Sequence, residues 1–189
     1  KPLGKDIEGV KKACDAVKKN NVVVQVGTQL RSMASMTGAR EVYKTGVLGK
    51  VGRIEQHRNE WRPYWYNYVK EVRCEDVDWD EFLMDAPRRP FDANLYSGWY
   101  GYRDYSDGAI PGFGSHFIDL VTYITGAQFP LSSVCQGGTF TWNDDYKFTC
   151  PDHVQATWIY PEAFMVSYAT NCGNSGGDSF LTSGENGAI

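Results

Sequence analysis

The 189-residue sequence lacks several features that identify whole classes of protein. No apolar run approaches the ~20 residues that a membrane helix requires, and the first residues, KPLGKDIEG, do not resemble a signal peptide. There is no C-x-x-C pair, and the five cysteines and three histidines do not show the spacing of a zinc site. These absences argue against a membrane partner and against a zinc centre.

The cysteines predict free thiols rather than a disulfide framework, because their number is odd and their spacing is irregular. A bridge between Cys150 and Cys172 stays open as an alternative if the protein is exported. The consecutive acids of CEDVDWDEF, residues 74–82, are more typical of a solvated turn than of a cation site. No metal is therefore expected.

Basic residues are scarce after the first quarter of the chain. Residues 1–53 carry 11 Lys or Arg against 4 acids, whereas residues 54–189 carry 8 against 19. The early lysines come in pairs such as Lys11 and Lys12, which suit a solvated helix face. No arginine-rich cluster or recognition motif accompanies them, so no nucleic-acid partner is expected. The asymmetry instead indicates two structural regions.

The first of these regions resembles the second half of an α/β unit. Asp6 can cap a helix whose apolar residues recur at helical spacing as far as Asn20. The following segment VVVQVG, residues 22–27, is apolar on both faces and therefore predicts a buried parallel strand. A helix that leads into such a strand indicates that the chain begins within a parallel sheet.

Further helices and strands follow with clear boundaries. The pattern predicts a helix over about Ser35–Thr45, a strand over Val51–Glu60 and a short helix at 79–84. It also predicts strands within 132–142, 153–160 and 163–171. The Gly- and Ser-rich tail shows no further clear strand, although LTSGENGAI, residues 181–189, could lead into one. The long irregular region 61–108 is of the kind that is usually functional or partly helical.

One short segment, GFGSHFIDL at residues 112–120, places a histidine at the start of an amphipathic helix. Ser115 is a suitable N-cap, and Gly126 stands where the helix is expected to end. At helical spacing His116 and Asp119 share one stripe beside the apolar one. His116 is then either a structural residue near the helix start or a general base oriented by Asp119, and spacing alone leaves both interpretations open.

Aromatic and charged residues are concentrated in the irregular region and just before it. An aromatic face can stack on a pyranose ring while charged side chains bind its hydroxyls, so the mixture suits a sugar ligand. A subunit interface is the alternative, because Trp, Tyr and Arg are enriched there as well. The candidate substrate-binding residues are Arg31, Trp61, Arg62, Tyr64, Trp99, Arg103, Asp104 and Tyr105.

Five segments, taken in order, resemble the Gfo/Idh/MocA oxidoreductase superfamily, most closely its bacterial sugar-oxidoreductase-like members. They are KPLG (1–4), VVVQVGTQLRS (22–32), GVLGKVGRI (46–54), VDWDEFLMDAPRRPF (77–91) and GFGSHFIDL (112–120). The resemblance extends over nearly the whole chain, and five ordered segments are more specific than any one of them.

The resemblance implies an α+β fold, namely the end of a Rossmann-type α/β unit followed by a mostly antiparallel open β-sheet domain with helices on one face. Residues 1–32 are then the C-terminal remnant of the dinucleotide-binding domain, and residues 33–189 are a truncated substrate-binding and oligomerisation domain. The G-x-G-x-x-G fingerprint is absent, so the chain is expected to be a fragment that is inactive by itself. A cytoplasmic location is favoured, with export left open.

The same resemblance implies an activity and a set of site residues. Full-length members transfer hydride between a sugar or polyol hydroxyl and NAD or NADP, and they form homodimers or homotetramers through the open sheet. Lys1 resembles the lysine beside the nicotinamide, and His116 resembles the histidine that takes the hydroxyl proton, a task suited to an imidazole, which titrates near ~6.5. Asp119 resembles the orienting acid, and Lys1, Pro2 and Gln29 are the cofactor-binding candidates.

The chain departs from this pattern at one position. Many members carry Asp or Asn four residues before the histidine, where this sequence has Gly112. Either Lys1 and His116 suffice, or another acid such as Asp104 or Asp107 takes its place, or the catalytic activity has been lost. Two alternative functions therefore stay open: a glycosidase that uses tightly held NAD for transient oxidation, and a non-catalytic sugar-binding or scaffold protein.

Overall fold

The structure, a computed structural model, describes residues 3, 4 and 6–189. In this part of the chain the α-helices are α1 (Ile7–Asn20), α2 (Ala34–Lys44), α3 (Trp79–Leu83), α4 (Ala93–Ser97) and α5 (Ser115–Thr125). The strands are β1 (Val51–Glu60), β2 (Ser132–Gly138), β3 (His153–Ile159), β4 (Met165–Cys172), β5 (Ser179–Gly184) and β6 (Gly187–Ala188).

These strands form a single six-stranded sheet in the order β2-β3-β4-β1-β5-β6. Strand β1 runs parallel to β4, and all the other neighbouring pairs are antiparallel. The register places Ile54 of β1 opposite Val166 of β4 and Thr182 of β5. The predicted α+β fold with a mostly antiparallel open sheet is confirmed.

Helix α5 covers one face of this sheet and forms the core with it. The ring of Phe117 is fully buried, stacks on Tyr168 at a centroid distance of 5.9 Å, and meets the edge of Phe180 at 5.4 Å. Apolar residues three and four positions apart place one stripe of the helix against the sheet, which explains why this segment docks as a helix. His116, next to Phe117, is thereby held at a fixed place beside the core.

The two ends of α5 differ in how well they were predicted. Gly126 adopts the left-handed conformation, with φ of 81°, and its N–H donates to the Thr122 carbonyl at 2.9 Å, as expected of a helix-ending glycine. The prediction that Ser115 is the N-cap is wrong. A π-helical turn over Ile110–Gly114 leads directly into α5, so Ser115 is already helical and its hydroxyl donates to the Gly112 carbonyl at 3.2 Å.

The predicted strand at 22–27 is not formed. Val23 is 98% exposed, Val22 and Val24 are each 53% exposed, and no described strand pairs with this segment. A buried parallel strand needs hydrogen-bonding neighbours and a cover on both faces, and the described residues supply neither. The segment has the composition of a buried strand without partners for one in the described part of the chain.

The tail, in contrast, forms two strands, although its sequence showed no clear strand and indicated only that residues 181–189 could lead into one. Strand β5 pairs antiparallel with β1, and Thr182 and Ile189 exchange two backbone hydrogen bonds of 2.7 and 3.1 Å. Thr182 is fully buried in this arrangement. Pairing with a central strand, rather than local β-propensity, decides the structure here.

The cysteines are free thiols, as predicted, and buried Cys150 and Cys172 form no bridge. Burial raises the pKa of the Cys172 thiol to about 12, which keeps it protonated. The helices of the described residues contain no apolar stretch long enough to cross a bilayer.

A buried carboxylate fixes the loop that follows β2. Asp152, 1% exposed, accepts hydrogen bonds from the backbone N–H groups of Phe140, Thr141 and Trp142 at 3.0, 2.9 and 2.7 Å. It also lies 2.7 Å from His153 Nδ1. Burial alone would raise the pKa of this carboxyl, but the hydrogen bonds from His153 and from the three backbone groups outweigh it, so the pKa of Asp152 is lowered.

Replacing Asp152 by Asn is expected to lower the free energy of unfolding at pH 7 by about 1–3 kcal/mol, because charge-assisted hydrogen bonds are lost. The pKa of Asp152 is lower in the folded than in the unfolded state, so its stabilisation is present above the unfolded pKa and is lost as the pH falls through the folded pKa. Urea denaturation from pH 7 downward should show the difference shrinking below pH ~4. A difference that is constant with pH would contradict this role.

Candidate functional site

A cleft of about 420 Å³ lies where α5 meets the aromatic loops, which are the aromatic-rich parts of the irregular region 61–108. Its volume is within the range of about 300–1,000 Å³ that is usual for small-molecule sites. The lining residues are Gln29, Tyr64, Tyr68, Trp99, Tyr100, Gly112, Phe113 and His116. Four of these, Gln29, Tyr64, Trp99 and His116, are site residues predicted from the sequence, and the fold brings them together.

His116 lies in the first turn of α5, between the core and the cleft. It is 7% exposed, its neighbour Phe117 is fully buried, and the π-helical turn 110–114 supplies Gly112 and Phe113 to the same cleft. Single π-helical turns occur frequently at functional sites, because they displace side chains from the regular helical positions. An imidazole held in this way can exchange a proton with a molecule bound in the cleft.

One wall of the cleft consists of aromatic rings that pack against one another. Tyr64 lies 4.6 Å from Tyr100 and 4.6 Å from Phe113 between ring centroids, in edge-to-face geometry. Trp65, 2% exposed, anchors the turn that carries Tyr64, and Trp99 lies 5.3 Å from Tyr100 with 43% of its surface exposed. Such ring contacts stabilise these loops even though the loops lack helices and strands. The wall is therefore already ordered before a ligand binds.

The polar second half of β1, residues 55–60, contacts this wall through Arg58. The Arg58 guanidinium lies 3.8 Å from the ring centroid of Phe113. Its Nη1 and Nη2 donate to Asp178 and Glu60, each at 2.6 Å. The cation therefore holds Phe113 at the cleft while its charge is balanced by two carboxylates.

Arg31 and Asp119, both predicted site residues, bind each other. Arg31 Nε and Nη2 donate to the two oxygens of Asp119 at 2.7 and 2.6 Å, a bidentate ion pair beside the cleft rather than in its lining. The guanidinium also lies 5.4 Å from the ring of Tyr123, which Arg40 approaches to 4.6 Å. The pair ties the turn Gln29–Ser32 to α5 and so positions Gln29.

Two further candidates lie outside the cleft lining, at the end of β1. Trp61 packs edge-to-face on Trp142, with 6.3 Å between the ring centroids. The Arg62 guanidinium lies over the Trp61 ring, 4.6 Å from the ring centroid. Arg62 Nη2 donates to Asn67 Oδ1 at 2.7 Å. Trp61 thus contacts the loop that Asp152 fixes, through Trp142, and Arg62 packs on Trp61.

The remaining candidates lie on the loop after α4. Arg103 donates to the Thr149 carbonyl at 3.1 Å, and Asp104 accepts from Arg89 at 2.6 Å. Tyr105 stacks on Phe82 at 4.8 Å, and burial raises its pKa. These three residues do not line the cleft. Lys1 and Pro2 lie outside the described residues.

Three aromatic residues that line the cleft were not predicted from the sequence as site residues: Tyr68, Tyr100 and Phe113. All three lie in or next to irregular segments, where no periodicity identifies an inward face. Burial raises the pKa of Tyr100, so its hydroxyl stays protonated in the neutral range. In the described part of the chain, no group of three or more His, Cys, Asp or Glu side chains is arranged to hold a metal.

Comparison with known families gives one match over the centre of the chain. The family described as "Oxidoreductase family, C-terminal alpha/beta domain" matches residues 34–134, more than half of the 189 residues. The matched range includes β1, the aromatic loops, the π-helical turn and α5. No curated protein matches the sequence.

Solved structures share the fold over the whole chain. The WlbA dehydrogenase of Bordetella pertussis in complex with NADH and UDP-GlcNAcA is 19% identical, with a TM-score of 0.71 over 100% of this chain and 48% of the other. GenD2 from gentamicin A biosynthesis in complex with NAD is 14% identical, with a TM-score of 0.71 over 100% and 45%. WlbA from Chromobacterium violaceum is 17% identical, with a TM-score of 0.67 over 100% and 46%. The chain spans about half the length of these proteins, and at such identities the likeness concerns the fold.

The Arg31–Asp119 pair is expected to contribute a coupling free energy of about 1 kcal/mol to folding, because it is bidentate but half exposed on the arginine side. A double-mutant cycle with Arg31→Ala and Asp119→Ala, followed by urea denaturation, measures it. Arg40→Ala is the matched control, since Arg40 also lies over Tyr123. Coupling between Arg40 and Asp119 as large as that of Arg31 would contradict a specific pair.

Proposed function

The chain belongs to the Gfo/Idh/MocA oxidoreductase family, and on that basis we propose that the whole protein is an NAD(P)-dependent oxidoreductase. It transfers hydride between a hydroxyl-bearing carbon of a sugar or polyol and the nicotinamide cofactor. Residues 1–32 end its dinucleotide-binding domain, and residues 33–189 belong to its substrate domain. The observation that carries the proposal is the placement of His116 in a preformed cleft with aromatic walls.

The cofactor assignment is supported by the neighbours, since WlbA holds NADH and GenD2 holds NAD in structures of the same fold. Gln29 shares the cleft with His116, so the described residues fit the reacting end of a nicotinamide nucleotide. The 189 residues contain no G-x-G-x-x-G loop for the pyrophosphate, which we assign to the rest of the protein. When bound, the nicotinamide ring accepts or donates the hydride.

The substrate class is supported by the composition of the wall. Tyr64 and Trp99 offer ring faces and edges to the C–H side of a sugar, while Gln29 and the tyrosine hydroxyls can bind its hydroxyl groups. The cleft of about 420 Å³ is of the size that a small-molecule ligand needs. The UDP-GlcNAcA bound to WlbA is a nucleotide sugar, which agrees with this class.

His116 performs the proton transfer in this proposal. As hydride leaves the carbon, the hydroxyl oxygen on that carbon becomes a carbonyl oxygen and its proton must go to a base. A ring nitrogen of His116 accepts that proton, and it returns the proton in the reverse reaction. Asp119 acts through Arg31, whose ion pair fixes the turn that carries Gln29.

The uncovered face of the sheet supports assembly into a homodimer or homotetramer. Val134 of β2 and Leu181 of β5 are 67% and 38% exposed. The register places both residues in the row of Glu55, next to Ile54, whose side chain is in the core on the other face. Thr157, Ser167 and Glu55 lie between them in this row, so the uncovered face presents both polar and apolar side chains, a mixture typical of a subunit contact.

Replacing His116 by Gln in the whole protein is expected to lower kcat about 10²–10⁴-fold, because the base is lost, and to leave the affinity for NAD(P) within about twofold. Initial rates of NAD(P)H formation and cofactor titration measure the two effects. Ile124→Val is the control, because it shortens a buried side chain of α5 that does not line the cleft. A His116→Gln enzyme with the activity of the control would remove His116 from the reaction.

Three measurements on the whole protein separate the alternative functions: NAD(P)H formation, glycoside cleavage and thermal stability. Net formation of NADH or NADPH with a sugar or polyol supports the oxidoreductase. Glycoside cleavage without net NADH identifies a glycosidase that oxidises its substrate transiently. Thermal stabilisation by sugars without turnover identifies a sugar-binding protein.

A further inference from the structure

The hydroxyl of Tyr100 occupies the space in front of Gly112. A Cβ atom placed on Gly112 would overlap the Tyr100 hydroxyl oxygen and would lie 2.7 Å from Tyr100 Cζ. Such distances are shorter than any side chain tolerates, so position 112 accepts only glycine while Tyr100 keeps this place. The glycine at position 112 and the Tyr100 hydroxyl therefore form one structural feature, because the hydroxyl can take this position only if residue 112 is glycine.

This feature lies next to His116. Gly112 precedes His116 by four residues through the π-helical turn and the start of α5, and residues four apart on a helix have Cβ positions within about 5–6 Å. Tyr100, Gly112 and His116 all line the same cleft. The phenol oxygen thus lies at position 112, one helical turn before His116 along the chain, where a side chain of residue 112 would reach the ligand.

The ring of Tyr100 is held firmly in this orientation. It packs against Tyr64 at 4.6 Å, lies parallel to Trp65 at 6.4 Å with an interplanar angle of 21°, and contacts Trp99 at 5.3 Å. The next residue, Gly101, accepts backbone hydrogen bonds from Thr149 and Cys150 at 3.0 and 2.9 Å. Both the ring and its backbone are therefore positioned before a ligand binds.

The chemistry of the phenol complements that of His116. Burial raises the pKa of Tyr100, so the group is an O–H donor in the neutral range rather than a base. An alcohol oxygen can accept a hydrogen bond from the phenol and at the same time donate its own proton to the imidazole. Among the described residues that line the cleft there is no carboxylate, and Asp104 and Asp107 lie outside the lining.

We propose that Tyr100 is a substrate-binding residue whose hydroxyl holds the reacting hydroxyl group against His116, in the place that a side chain at position 112 would otherwise occupy. The inference rests on the proposed oxidoreductase function and adds a specific contact to it. It also accounts for the departure at Gly112 without loss of activity, because a polar group is supplied from a different loop.

The first test compares Tyr100→Phe with the unmodified whole protein. The probes are hexoses, hexuronates and inositols, each assayed for NAD(P)H formation, and the best of them is used for kinetics. Loss of one hydrogen bond to the substrate is expected to lower kcat/KM for that probe about tenfold and to leave the KM for NAD(P) within about twofold. Tyr160→Phe is the matched control, since Tyr160 is a buried core tyrosine that does not line the cleft.

The second test moves the polar group back to position 112. Gly112→Asp alone is expected to be inactive or unstable, because its side chain overlaps Tyr100. Tyr100→Ala removes both the overlap and the hydroxyl, and Tyr100→Ala with Gly112→Asp should recover at least about fivefold of the lost kcat/KM. A merely structural tyrosine predicts no such recovery, because an aspartate at position 112 does not restore the ring contacts with Tyr64, Trp65 and Trp99.

The outcomes separate this inference from the function on which it rests. If Tyr100→Phe keeps full kcat/KM while His116→Gln loses activity, the oxidoreductase stands and the role of Tyr100 is wrong. A double variant no better than Tyr100→Ala overturns it as well. If no probe yields NAD(P)H with the unmodified protein, the proposed function fails, and the inference fails with it.

Discussion

The structure depends on the docking of α5 against the sheet. Phe117 inserts between Tyr168 and Phe180, and this contact fixes the direction of the helix and the height of its first turn above β1 and β4. His116 adjoins Phe117 in sequence, so the residue proposed to move a proton is placed by a fully buried side chain of the helix. Burial of a ring of this size stabilises the folded state by several times RT. The position of His116, the adjacent residue, is therefore well defined.

The cleft is then completed by segments that have little regular structure of their own. Ring contacts around Tyr64 hold the aromatic loops, Arg58 holds Phe113 from below, and the Arg31–Asp119 pair draws the turn of Gln29 to the helix. Each of these contacts joins parts of the chain that are distant in sequence. The site is therefore a property of the folded domain rather than of any one motif, and the π-helical turn is the point at which the helix adapts to it.

Much of the framework could be predicted from the sequence, because local patterns determine it. Strand β1 occupies the predicted residues Val51–Glu60, and Gly126 ends α5 as its conformational freedom suggests. The sequence-based predictions fail where residues distant in sequence determine the structure. The apolar segment 22–27 has no neighbouring strand among the described residues, and β5 forms because it pairs with β1. Of the residues that line the cleft, Gln29, Tyr64, Trp99 and His116 could be predicted from the sequence. The overlap that explains Gly112 involves Tyr100, a contact that no spacing rule shows.

The central claim, that this domain forms the substrate side of a nicotinamide-dependent active site, is tested most directly by what the whole protein binds. The measurement is to purify the protein with its complete sequence, saturate it with NAD and NADP in turn, remove free nucleotide, denature it and identify what is released. The account predicts one equivalent of NAD or NADP, retained equally by the His116→Gln variant. Release of no nucleotide under either condition would contradict the oxidoreductase function and would leave a sugar-binding protein as the better account.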